Sequence, residues 1–186
     1  INSNLMTTHI STDCRDGTWN VNQRSQTEDG SKVVSSLSSD GSTIEDIQAP
    51  DYTHATTNTR LDGSKEITTS GSDGSILTSA SYAPDGTLAA EEHTSTNPDG
   101  STSMMSFNAF SHTRKTQSYD ANGTLTTETT TTQDPVTGAT TEVVSLWNPD
   151  GSVQKATTTT RNADGSRTVK ESNVSPNTDK ITTTNA

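Results

Sequence analysis

Apolar residues in this chain come singly, in pairs or at most in threes, and no segment holds them at the 3.6-residue spacing of an amphipathic helix. They fall instead in stretches of 7–10 residues rich in Thr, Val, Ile and Ser, such as "KVVSSLSS", "LTTETTTTQ", "TTEVVSLW" and "VQKATTTTR". β-Branched residues favour the extended backbone, so these stretches predict strands. Alternation within them is weak. "TWNVN" puts Trp19 and Val21 on one face, "MMSFNAF" groups Met105, Phe107 and Ala109, and "EVVSLWN" groups either Val144 with Leu146 or Val143 with Ser145 and Trp147. Elsewhere Thr occupies both faces. That pattern fits a single layer wetted on both sides, a narrow barrel or sandwich of small residues, or an intertwined oligomer.

The punctuation between strands is far more regular. Glycine closes a turn signal at Gly17, Gly30, Gly41, Gly63, Gly74, Gly86, Gly100, Gly123, Gly138, Gly151 and Gly165. Asp precedes it in nine of the eleven, with Asn122 and Thr137 in the other two, and Ser or Thr follows it in ten. The fullest copies, around Asp85-Gly86, Asp99-Gly100 and Asp150-Gly151, read Pro-Asp-Gly; Asp164-Gly165 and Asn122-Gly123 are close variants. Proline presets φ at the second position, Asp accepts the bridge region at the third, and glycine takes the left-handed conformation. This combination predicts a type I turn followed by a G1 bulge, a common closure for a β-hairpin. Two gaps between glycines are nearly double the rest, and "QAPDYTH" near Pro50 and "NAFSHTR" near Ser111 supply the missing turns. Thirteen turns then recur every 11–15 residues, with "VSPNTDK" near Asn177 a candidate fourteenth. Periodicity of this kind reads as a repeat array. The expected fold is all-β: one array over 1–186, an antiparallel meander of hairpins that is elongated or assembled with other copies.

Composition sharpens the second possibility. Leu, Ile, Val and Phe total 25 of 186 residues, whereas Thr and Ser total 64. Ordering the backbone costs about 1–2 kcal/mol per residue, which a conventional core offsets by apolar burial. So small an apolar content cannot do this in an ordinary two-layer domain. Backbone pairing in a sheet, a bound ion, or burial against other copies must make up the difference. The turn-free ends "INSNLMTTHI" and "DKITTTNA" are the first candidates for strand pairing between copies.

Net charge is −11, which argues against nucleic acid as a partner. Cys14 is the lone cysteine, so no intrachain disulfide can form. No apolar run approaches the roughly 20 residues of a membrane-spanning helix. No signal peptide is evident, and Ile at position 1 is expected of a processed chain or a fragment. The four histidines are widely scattered, and no His-x-x-x-His or Cys-x-x-Cys pair marks a zinc site. Glu91-Glu92-His93 is the densest titratable cluster and reads as a solvated surface. Too few aromatics are present to line a sugar-cleaving cleft, no G-x-S-x-G elbow occurs, and no catalytic residue is nominated. Calcium is the one ion the turns suggest, and Asp13 and Asp16 in "STDCRDG" come nearest to a ligand pair, though calcium takes six to eight oxygens. Aligned Thr-x-Thr motifs would order water as ice-binding faces do, and Asn122 and Asn173 lie in N-glycosylation sequons.

The stretch "SYDANGTLTTETT" resembles a YD repeat, the unit of Rhs and teneurin shells. Tyr119, Asp120, Gly123, Leu125 and Thr126 match its Tyr-Asp-x-x-Gly-x-Leu-Thr pattern. "SYAPDGTL" keeps Tyr82, Gly86 and Leu88, and "LWNPDGSV" puts Trp147 and Val153 at the same places. Here Ser or Thr follows glycine, where YD arrays commonly carry Arg. The resemblance implies a secreted or cell-surface scaffold of hairpins without catalysis. The expected function is a non-enzymatic extracellular structural protein, a self-associating subunit or stalk of a filament, adhesin or fibre. The alternative is a β-repeat binding module for glycan or protein, which a cluster of exposed Trp19, Tyr82, Tyr119 and Trp147 would favour.

Overall fold

The computed structural model describes residues 7–12, 19–173 and 178–185, with side chains described over 19–172 and 180–185. Every described element is a strand. The chain forms two compact units, 1–91 and 92–186. The first holds β1 (Thr7–Thr12), β2 (Trp19–Gln26), β3 (Lys32–Ser38), β4 (Thr43–Gln48), β5 (His54–Thr59), β6 (Lys65–Ser70) and β7 (Ile76–Tyr82). The second holds β9 (Thr102–Asn108), β10 (Thr113–Tyr119), β11 (Leu125–Gln133), β12 (Thr140–Trp147), β13 (Val153–Arg161), β14 (Arg167–Asn173) and β15 (Thr178–Thr184). Between them β8 (Leu88–Thr96) leaves one hairpin turn and enters the next.

In both units each strand pairs antiparallel with the strands before and after it in sequence. Strand order in the sheet is therefore sequence order, the meander that the repeated turns predict. Neither unit closes into a barrel, because β1 and β15 have one neighbour each among the described residues. Nor does a second layer cover either face: within each unit, contacts between elements join only consecutive strands among the described residues.

The turns explain this regularity. Ten of them, from Thr27–Ser31 to Asn162–Ser166, share one hydrogen-bond pattern: the first residue's N–H donates to the fifth residue's carbonyl, and the fourth residue's N–H donates back to the first carbonyl, at 2.8–3.0 Å. The glycines have φ between 72° and 89°. This is the type I plus G1-bulge closure. The two turns lacking glycine are present, with Tyr52 (φ 68°) and His112 (φ 49°) in the glycine slot. Asp134–Ala139 is one residue longer, with Gly138 N–H bonding the Asp134 carbonyl. The expected turns at Gly17 and near Asn177 lie outside the described residues.

Turns on the same edge of the meander also touch. A Cβ placed on Gly41 would lie 2.8 Å from Leu61 Cδ1, and one on Gly100 would lie 3.5 Å from Ala121 Cβ. Leu61 and Ala121 are second residues of the turns two strands further on, so that position packs on its neighbour's glycine. Among the described residues no apolar residue is buried; only Ser31 and Thr159 are, at 7% and 6% exposure. Half-buried side chains leaning on cross-strand neighbours, each pair contributing about 0.2–1 kcal/mol, take the place of a core.

Two predictions separate the roles of glycine here. Gly41→Ala should cost about 1–2 kcal/mol for left-handed backbone plus a steric part that Leu61→Ala relieves. Gly74→Ala, with open space around it at φ 81°, should cost the backbone part alone. Tyr52→Gly should stabilise by about 1 kcal/mol. Urea midpoints of the purified variants measure all three.

Candidate functional site

Because side chains alternate, the hairpin registers decide which residues share a surface. In the first unit one face carries the row Val21, Leu37, Thr43, Thr59, Lys65, Tyr82. The next row is Gln23, Ser35, Glu45, Thr57, Ile67, Ala80, and the third is Ser25, Val33, Ile47, Ala55, Thr69, Thr78. This face is apolar at nearly half its positions and carries two charges, Glu45 and Lys65. Its opposite is polar, with Asn22, Ser36, Asn58, Glu66 and Ser81 in a single row interrupted only by Ile44. Weak alternation in each strand thus adds up to a clear difference between faces. Leu37 is 40% exposed on the apolar side. Two shallow depressions mark the same face. One, of about 390 Å³, is lined by Lys65, Ile67, Tyr82 and the Pro84 turn, and the other, of about 290 Å³, by Val21, Leu37, Thr43 and Glu45.

The second unit is less one-sided. Val144 and Leu146 point to one face, and Val143, Ser145 and Trp147 to the other. Thr113, Thr132, Thr141, Thr160, Thr168 and Thr183 align across six strands in one file. The adjacent file on that face is broken by Lys115, Val143, Lys170 and Ile181, so no regular Thr-x-Thr array forms. Cross-strand polar pairs reinforce the sheet: Lys115 Nζ and Gln117 Nε2 both reach Glu128 Oε2 at 2.8 Å, and Arg114 lies over the Phe107 ring.

The aromatic residues singled out from sequence fall in two pairs, one in each unit. Trp19 and Tyr82 share the apolar face of the first unit but stand five strands apart, roughly 24 Å at normal strand spacing. Tyr119 and Trp147 occupy one face of the second unit, two strands apart. Tyr119 stands opposite Leu125, and Trp147 opposite Val153. The aromatic and aliphatic positions of the YD-like pattern are therefore cross-strand partners beside a bulge. The Trp147 indole Nε1 is buried with no acceptor among the described residues.

The acidic turn residues form rows along the sheet edges. Oδ1 of Asp40, Asp51, Asp73, Asp85, Asp99, Asp150 and Asp164 accepts the backbone N–H of the Ser or Thr two residues on, at 2.9–3.0 Å, and its hydroxyl at 2.5–2.7 Å. These bonds, the hydroxyl's first and the amide's second, hold the carboxyls below their ordinary value. Asp120 and Asp134 instead occupy the first turn position and accept two backbone N–H groups each. Their carboxyls are lowered as well, chiefly by the Thr124 and Thr137 amides. The carboxylates are thus engaged with their own turns. No group of His, Cys, Asp and Glu suited to a metal occurs among the described residues. Asp13 and Asp16 lie outside them, as does Cys14.

Glu91, Glu92 and His93 are exposed on β8. A tighter polar cluster, not anticipated from sequence, flanks the Ala49–Thr53 turn. His54 Nδ1 lies 3.3 Å from both carboxylate oxygens of Asp46, His54 Nε2 lies 3.1 Å from Gln48 Nε2, and Thr56 donates to Asp46 at 2.9 Å. A donating Gln48 amide leaves the ring proton on Nδ1, facing the carboxylate. No nucleophile bonds to the ring among the described residues, so the group acts as a cross-strand lock. The hairpin register pairs Gln48 with His54 and Asp46 with Thr56.

No protein-family model matches the sequence, and no curated protein is similar to it. The likeness to YD repeats rests on the residues that carry it.

Since the turn carboxyls titrate below the ordinary Asp value near 3.8, the stability they add is complete above that value. It is lost as pH falls through their lowered values. The melting temperature should hold from neutrality to about pH 4 and drop below it. Ser152→Ala should move the Asp150 carboxyl back toward its ordinary value, read as a shifted NMR titration.

Proposed function

We propose that this is a non-enzymatic structural repeat protein that works by associating with further copies of itself, as a subunit or stalk segment of an extracellular filament, adhesin or fibre. One observation carries the reading: among the described residues no apolar side chain is buried. An ordered single layer leaves its faces and outer strands open to further pairing, and sheet edges left open recruit other strands unless they are blocked. β1 and β15 each have one paired side among the described residues. β15 keeps Asp179 and Lys180 along its length, whereas β1 (TTHIST) carries no Asp, Glu, Lys or Arg. Charge on an edge strand discourages indiscriminate pairing, so β1 is the more permissive edge. An excess of 23 acidic over 12 basic residues limits indiscriminate aggregation of such a surface. The turn carboxylates are satisfied locally, which supports assembly without calcium.

Light scattering of the purified chain across a concentration series, with and without EDTA, tests the reading. Particles heavier than 19.6 kDa, growing with concentration and indifferent to EDTA, are expected. A chelator-sensitive assembly would make an ion the glue. A 19.6 kDa monomer at every concentration would contradict the reading and leave a self-sufficient binding module in its place.

A further inference from the structure

Resting on that reading of self-association, we infer that the apolar face of β3–β7 packs face to face against the same face of a second copy, about a two-fold axis running along β5. Three features of that face point to an identical partner. The first is area. Five strands are roughly 24 Å wide and about 20 Å long, so a face-to-face pair removes on the order of 1,000 Å² in total, the lower bound for a specific interface.

The second is composition. Val33, Leu37, Ile47, Ala55, Ile67, Ala80 and Tyr82 spread apolar surface over seven of the fifteen positions of this patch, while the reverse face of the same strands offers mainly hydroxyls, amides and charges. A two-fold axis along β5 exchanges β3 with β7 and β4 with β6. Leu37 and Tyr82 lie in one row, so Leu37 of one copy comes over Tyr82 of the other. The depressions beside these two residues give each a place to seat.

The third is charge. Glu45 on β4 and Lys65 on β6 are the two charged residues of these three rows. Both are exposed, and neither is in an ion pair within the chain among the described residues. They flank β5 one row apart. The same axis sets Glu45 of each copy over Ile67 of the other, one row from that copy's Lys65, so the two long side chains can reach each other across the roughly 10 Å that separates packed sheets. A lone acid and a lone base on opposite sides of the symmetry axis are self-complementary, as an isologous interface requires. A partner of different chemistry would not need that placement.

Charge exchange tests the geometry. Glu45→Lys and Lys65→Glu should each weaken association about tenfold or more by setting like charges against each other, and the double exchange should restore it. Leu37→Lys with Ile67→Lys should abolish this contact while leaving the strand circular-dichroism signal unchanged. Wild-type protein that associates, but whose association ignores all four changes, overturns the face assignment and leaves self-association standing. Wild-type protein that never associates overturns both. Weakening by the single exchanges without recovery in the double exchange overturns the two-fold pairing of Glu45 with Lys65.

Discussion

In seven of the described turns an Asp carboxylate that accepts both the amide and the hydroxyl of the residue two positions on holds the hairpin shut. Its effect reaches well beyond the turn. Closing the chain with a fixed five-residue loop leaves one register for the strands on either side, because the residue before the loop must pair with the residue after it. Repeated along the chain, that constraint aligns every strand in sequence order. It also decides which side chains share a face. In a protein with no apolar side chain buried among its described residues, register cannot be set by hydrophobic sorting, so the turns have to set it.

The turns stack as well as close. Leu61 against Gly41, Pro84 against Gly63 and Ala121 against Gly100 show the second position of one turn resting on the glycine of the turn before it on the same edge. Glycine at these sites answers two demands, left-handed backbone and close approach. The Pro, Leu or Ala two residues before glycine thus packs on a neighbouring turn. Where Tyr52 and His112 replace glycine, the hairpin still forms with positive φ.

The strands, the turns and their bulges were legible in the sequence because both are local chemistry: Thr- and Val-rich stretches extend, and Pro-Asp-Gly-Ser turns. Even the two turns without glycine could be placed from spacing. The faces were not legible, since a strand such as HATTNT or KEITTS shows little alternation by itself. Only when Val33, Ile47 and Ala55, or Leu37, Lys65 and Tyr82, are lined up by successive registers does an apolar surface emerge. The Asp46–His54 lock escaped notice for a different reason. Its members are eight residues apart and meet through the hairpin, which spacing along the chain does not suggest. Of the aromatics singled out from sequence, Tyr119 and Trp147 stand at hairpin-closing positions opposite Leu125 and Val153.

A fold held by backbone ladders, satisfied turns and half-buried cross-strand pairs should differ thermodynamically from one with an interior. The heat capacity increment of unfolding reports apolar surface exposed, and calorimetry on dilute, monodisperse 19.6 kDa protein measures it directly. An ordinary domain of 186 residues gives roughly 2.2–2.8 kcal/mol/K. A single layer wetted on both sides should give well under that range, rising at concentrations where copies associate. A dilute monomer that unfolds with the full increment would mean that a core is buried after all, and would contradict the coreless sheet on which the whole account stands.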